Sequence, residues 1–351
     1  YKTVFRADED IERVKDYLKL FNKESMNENN SENNSSIRKV KLDADSGNVD
    51  AMFKYASMLR DGEGATVNKE ESARYFKMAA DHGNVIAMYK YAVMLRDGEG
   101  VEVDQKNSAL YFKKAADSGD VRSMNNYGVM LCDGDGVSVD KKEAARYIKM
   151  AADQGSCDAM GNYANMLRNG EGVTVNKKEA ARYYKLAAEK GSSSAMFNYA
   201  GMLHEGDGIP ENKEEEVKYI KMAADLGNDY AMYNYAVMLR DGNGVDQNKE
   251  QAAYYLKMCA ERGNSNAMFN LANMMHEGDG IEMDKKLAAK YFKMAADLGN
   301  ENAMLNYAGM LHLGDGIDLD EAQAQEYVKQ AAALGNENAI MLCEMSGCPI
   351  C

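Results

Sequence analysis

A chain of 351 residues has room for two or three ordinary domains, but no Trp, 2 Pro, 26 Met and 22 Tyr describe a continuous run of helices instead. The formal net charge of −14 disfavours nucleic-acid phosphate and anionic membrane surfaces as main partners. No apolar run approaches the ~18 residues of a membrane span, and six cysteines at unrelated places fit a reducing, cytoplasmic compartment.

In chain order, residues 1–23 read as one amphipathic helix, with Ile11, Val14, Leu18 and Phe21 on one face. The chain opens on Tyr1 rather than Met, so this helix is expected to be the end of an upstream region. Residues 24–35 form an Asn/Ser-rich flexible linker. An α-solenoid is expected over 36–347: a half-repeat at 36–47, eight full repeats over 48–335 and a degenerate capping helix at 336–347, followed by a tail at 348–351. Ile37, Val40, Ala44 and Gly47 put the half-repeat in phase, whereas Glu344 breaks a core column in the cap.

The repeats are marked by glycine. Gly62, Gly98, Gly134, Gly170, Gly206, Gly242, Gly278 and Gly314 recur every 36 residues, each followed two residues on by a second Gly. Within a repeat, Met52, Tyr55, Ala56 and Leu59 share one face of a first helix, which Gly62-Glu63-Gly64 stops. Asn68 with Glu71 reads as an N-cap and capping box for a second helix that buries Ala73, Phe76 and Ala80, with Tyr75 and Ala79 beside them. Gly83 ends it, and Asn84 caps the next first helix. The Met of the columns headed by Met52, Met58 and Met78 are expected in the core, as are the Tyr of the Tyr55 and Tyr75 columns. A single repeat buries too little to offset the ~1–2 kcal/mol per residue of backbone ordering, so the repeats must stack.

The spacing Ala51…Tyr55-Ala56…Gly62-x-Gly64…Ala73-x-Tyr75…Ala79-Ala80…Gly83 resembles the Sel-one-like repeat, a relative of the tetratricopeptide repeat. The family's usual Leu-Gly is Tyr55-Ala56 here and its Leu-Tyr is Met58-Leu59, which shifts an aromatic between columns. The resemblance implies an all-α, right-handed α-solenoid of tandem 36-residue helix-turn-helix repeats. It also implies an adaptor that assembles complexes; in protists such arrays are often joined to kinase domains. Two readings follow: a protein-interaction scaffold, or the regulatory or targeting arm of a larger signalling protein whose catalytic part lies elsewhere.

No residue pattern supplies chemistry. The Gly-x-Gly triplets follow helices, not strands, so they are turns rather than phosphate loops. Asp133-Gly-Asp-Gly lacks the ligand alternation of a calcium loop. His204, His276 and His312 share a column, but helices ~8–10 Å apart do not bring them to one ion. Neither an enzyme, a cofactor, a metal nor a small-molecule substrate is expected. Cys348-Pro-Ile-Cys351 has the C-a-a-X form, making Cys348 a candidate for lipidation and the one route to a membrane.

The expected partner is a protein or peptide segment with apolar and acidic side chains, lying in the groove of the first helices. Columns that a 100° wheel turns away from the core supply the contacts. They are aromatic Phe53, Tyr89, Phe197, Tyr233 and Phe269; basic Arg60, Arg96, Arg168 and Arg240; and the ladder Asn126, Asn162, Asn198, Asn234, Asn270 and Asn306. The ladder reads equally as Asn that is simply solvated or bonded to its own neighbours.

Overall fold

The computed structural model describes residues 36–346. The expected N-terminal helix, the linker up to 35 and the tail with Cys348 lie outside the described residues. Among the described residues every regular element is an α-helix, and the chain divides into two compact units, Tyr1–Val175 and Asn176–Cys351. The half-repeat helix α1 spans 36–45. First and second helices then alternate in unit 1 as α2 (Val49–Asp61), α3 (Lys69–Asp81), α4 (Val85–Asp97), α5 (Gln105–Asp117), α6 (Val121–Asp133), α7 (Lys141–Asp153) and α8 (Cys157–Asn169). Unit 2 begins with second helix α9 (Lys177–Glu189), then α10 (Ser193–Glu205), α11 (Lys213–Asp225), α12 (Asp229–Asp241), α13 (Lys249–Glu261) and α14 (Ser265–Glu277). It closes with α15 (Lys285–Asp297), α16 (Glu301–Leu313), α17 (Glu321–Ala333) and α18 (Glu337–Ser346).

Local chemistry sets the helix ends. Asn48 Oδ1 accepts from the Ala51 amide at 2.9 Å to start α2, and Gly62 stops it in the left-handed conformation at φ 74°. Asn68 Oδ1 caps α3 by accepting from Glu71 N at 3.0 Å. The capping box does not close, however. The Asn68 amide donates to Leu59 O at 2.9 Å instead, and Glu71 receives Lys41 Nζ at 2.9 Å. The same return bond joins Asp104 to Leu95 and Asp140 to Leu131. It satisfies a carbonyl at the open end of the first helix, so the loop's own path displaces the carboxylate.

An edge-to-face Tyr pair recurs between the two helices of a repeat: Tyr55 with Tyr75 at 4.8 Å, Tyr127 with Tyr147 at 5.0 Å and Tyr235 with Tyr255 at 5.2 Å. Methionines of the Met52 column are buried, but the Met78 column is not core as expected: Met222 is 37% and Met294 39% exposed. Met78 lies four residues after Arg74 on the outer edge of the second helix. Consecutive repeats are joined by two recurring contacts. Lys77 Nζ pairs with Asp81 at 2.7 Å, and the same carboxylate receives the Tyr111 hydroxyl of the next repeat at 2.5 Å. The residue between the paired glycines also meets the lysine that opens the preceding second helix: Lys69–Glu99 at 2.9 Å, Lys141–Glu171 at 2.9 Å and Lys249–Asp279 at 2.6 Å. In the cap, Glu344 is exposed, and no helix among the described residues covers it.

Candidate partner-binding face

The residues singled out for binding all lie on first helices, but the structure seats them deeper than the helical wheel implies. Phe53, Tyr89, Phe197, Tyr233 and Phe269 are half-buried. Phe53 packs edge-on against Phe76 at 5.7 Å, Tyr89 against Phe112 at 6.0 Å, and Phe269 is tilted against Phe292 at 5.9 Å. Phe53 is three residues from core Ala56, so its ring covers the seam between the helices of a pair with one face outward.

The arginines are equally fixed. Arg96 places Nε and Nη2 on the Asp97 carboxylate at 2.7 and 3.1 Å, and its Nη1 donates to Asn126 Oδ1 of the next repeat at 3.0 Å. Arg240 does the same with Asp241 and Asn270. Arg60 pairs with Asp61 and stands 5.8 Å over the Phe76 ring, and Arg168 is half-buried. The guanidinium bonds hold the Asp97 and Asp241 carboxyls below the usual carboxylate range.

The asparagine ladder turns largely inward upon itself. Asn162 donates to Asn125 at 3.0 Å, Asn270 to the Tyr233 hydroxyl at 3.0 Å and Asn306 to Asn273 at 2.9 Å. Asn126 donates to the Arg122 carbonyl at 2.8 Å. Asn198 is half-buried and Asn234 exposed. At these rungs the ladder is already bonded within the chain.

Two contacts escape a column-by-column reading. Tyr230, in the column headed by Asp50, is 72% exposed, and its ring lies 5.9 Å from Phe197 at an interplanar angle of 30°. Arg122 of that same column stacks 4.1 Å over Tyr89. An offset of 33 residues, not 36, relates both pairs; a Tyr among Asp50, Asp158 and Ser194 is the sequence signal.

The three histidines that share a column, His204, His276 and His312, find separate carboxylates. His276 Nε2 meets Asp315 at 2.8 Å, where Lys285 also binds at 2.8 Å; His312 meets Glu321 at 2.6 Å and His204 meets Glu216 at 3.2 Å. Among the described residues no three His, Cys, Asp or Glu are grouped to hold a metal, and no helix is long and apolar enough to cross a membrane. Cys132, Cys157, Cys259 and Cys343 carry free thiols.

Tandem helix pairs with a lateral row of seated aromatics and arginines define an α-solenoid of the tetratricopeptide-like class. The Sel1 repeat model matches residues 49–84, 85–120, 121–156, 157–192, 193–228, 229–264, 265–300 and 302–336, and the chain belongs to that family. Sel1 repeat proteins generally mediate protein–protein interaction. The structure is similar to c5321, a protective antigen of uropathogenic Escherichia coli with an SLR fold, at 27% identity and a TM-score of 0.79, covering 86% of this chain and 65% of that one. The chain thus spans less than two thirds of that protein. It is similar in fold to a Sel1 repeat protein from Oxalobacter formigenes, at 24% identity and a TM-score of 0.69, covering 89% of this chain and 91% of the other. A comparison with curated proteins gives no match.

Proposed function

We propose that this chain is a scaffold that holds an extended or helical segment of a partner protein along the first helices of repeats 192–299. The observation that carries this reading is a fixed chain of side chains in unit 2. Asn270 Nδ2 donates to Tyr233 Oη, Asn270 Oδ1 accepts from Arg240, and Arg240 is paired with Asp241. Side chains held before binding lose little rotamer freedom, a cost of about 0.5–1.5 kcal/mol each for mobile ones. Beside them, the Phe197–Tyr230 pair offers an outward aromatic surface. Aromatic and Arg anchors of this kind dominate interface energetics. The bonds to Asp241 and Asn270 set the plane in which Arg240 meets an acidic partner side chain, while the rings take its apolar ones.

The test is affinity capture from the native host, followed by binding measurements with the captured partner. Tyr230→Ala, Tyr233→Ala and Arg240→Ala are each expected to weaken binding by ~1–3 kcal/mol. Tyr230→Ala should leave the melting temperature near wild type, since that ring is largely exposed. A triple variant that binds the same partner with undiminished affinity would move the site off this face.

A further inference from the structure

The repeats follow one another so closely that a repeat departing at several columns at once marks a place under a different demand. Repeat 264–299 departs at three columns, the repeat before it at a fourth, and all four residues face one cleft. The Tyr55 column is Tyr in every other full repeat and Leu271 here; the Leu59 column is Leu in every other and Met275 here. The Glu71 column is Glu, Gln or Asn throughout, except for Leu287. From the preceding second helix, Tyr254 occupies a column that is basic in five repeats (Arg74, Arg146, Arg182, Lys218 and Lys290) and otherwise holds Leu110 and Glu326.

The cleft holds about 520 Å³. Leu271, 1% exposed, forms its floor; Met275 and Leu287 are half-buried walls; Tyr254 and Met283, 61% and 57% exposed, stand at its mouth. Five repeats earlier the corresponding cleft, of about 730 Å³, sets Glu70, Glu71 and Glu102 against two cations, Arg74 and Lys77, beside Tyr91. There Tyr91 closes onto Tyr111 in an edge-to-face pair at 4.9 Å. With Leu271 in that column and Tyr254 in that of Arg74, the cleft of repeat 264–299 has a leucine floor and one basic residue fewer. Glu250, Glu282 and Asp284 line the cleft against a single cation, Lys257. The flanking Lys249 and Lys285 are engaged by Asp279 and Asp315.

We propose that this cleft is a second docking site, which takes one large apolar side chain (Leu, Met or Phe) of a partner peptide whose neighbouring residues are Lys or Arg. Its volume falls within the ~300–1,000 Å³ of pockets that enclose small ligands. Methionine walls adapt to an apolar anchor, and an acidic lining selects basic flanks. The site shares no residue with the first-helix face and stands or falls independently of it.

The experiment is a selection from a random peptide library on the full chain. It is counter-screened against a variant returned to the repeat pattern, Leu271→Tyr with Tyr254→Arg and Leu287→Glu. The enriched peptides should share an apolar residue flanked by Lys or Arg and bind the variant at least tenfold more weakly. The variant's melting temperature should match or exceed that of the wild type. Leu287→Glu alone, at a partly exposed position, keeps the test valid if the triple variant misfolds. Glu250→Gln with Glu282→Gln should lower affinity several-fold and flatten its salt dependence. No enrichment, peptides without basic flanks, or equal binding to wild type and variant would each overturn the proposal. Peptides lost only with Tyr230→Ala and Tyr233→Ala would belong to the first-helix face.

Discussion

Two glycines in the same conformation separate backbone strain from packing at the scale of single residues. Gly64 and Gly172 have φ of 74° and 71°, where a side chain costs roughly 1–2 kcal/mol. A Cβ at Gly64 would meet nothing nearer than the Ile37 side chain at 3.5 Å, whereas at Gly172 it would stand 1.9 Å from the Lys141 carbonyl oxygen. The loop of Gly172 rests on the first residue of α7 and is held there by the Lys141–Glu171 pair. Gly64→Ala should therefore lose about 1–2 kcal/mol, and Gly172→Ala a further ~1–3 kcal/mol from overpacking. Urea denaturation of the two variants measures the difference, and equal losses would mean that the loop yields freely. Residue chemistry also shows in Cys259, whose thiol burial pushes up to about 11, leaving it inert as a nucleophile at neutral pH.

Between elements, the contact that joins one second helix to the next responds to pH. Asp225 on α11 receives Lys221 at 2.6 Å and the Tyr255 hydroxyl of α13 at 2.8 Å. Burial alone would raise its carboxyl, but the bonds from Lys221 and Tyr255 outweigh burial and hold it below the usual range. A carboxyl depressed in the folded state contributes stability above its unfolded value of about 3.9, and that contribution is lost as pH falls through the folded value. Asp225→Asn should thus be less stable than wild type at pH 7, with the gap closing below about pH 4. Urea midpoints at pH 7 and in acid decide it; a gap independent of pH would show that the carboxylate charge is immaterial. Burial, then the bond to Asp225, pushes the Tyr255 hydroxyl above its ordinary range. That part is complete below about pH 10 and is lost only in stronger alkali.

On the scale of the whole molecule, an unbroken 36-residue register makes the repeats interchangeable. Removing residues 84–119 joins Gly83 to Asp120, which already serves as an N-cap, and sets Gly136 over Lys69 as Gly100 is now. The shortened chain should keep its mean residue ellipticity and melt a few degrees lower, because one set of nearest-neighbour contacts is gone. Loss of helix per residue would show that the repeats are individually matched. That register is what made the fold legible from residues alone: eight copies exposed the glycine turns, the caps and the core columns of Met52, Tyr55 and Phe76. The candidate face was legible only as columns. Nothing in a column shows that Arg240 is committed to an Asn 30 residues on, that Asn162 reaches back 37 residues, or that Tyr230 leans on Phe197. Helix ends, repeat length and most of the buried positions follow from local residue chemistry, because caps, glycines and a 3.6-residue period act over a few neighbouring residues. Which outward side chains are seated, which are bonded across repeats, and that Tyr254, Leu271 and Leu287 line one cleft emerge from the packing of repeats. Those outcomes depend on how each repeat leans on the next, a geometry written in contacts far apart along the chain.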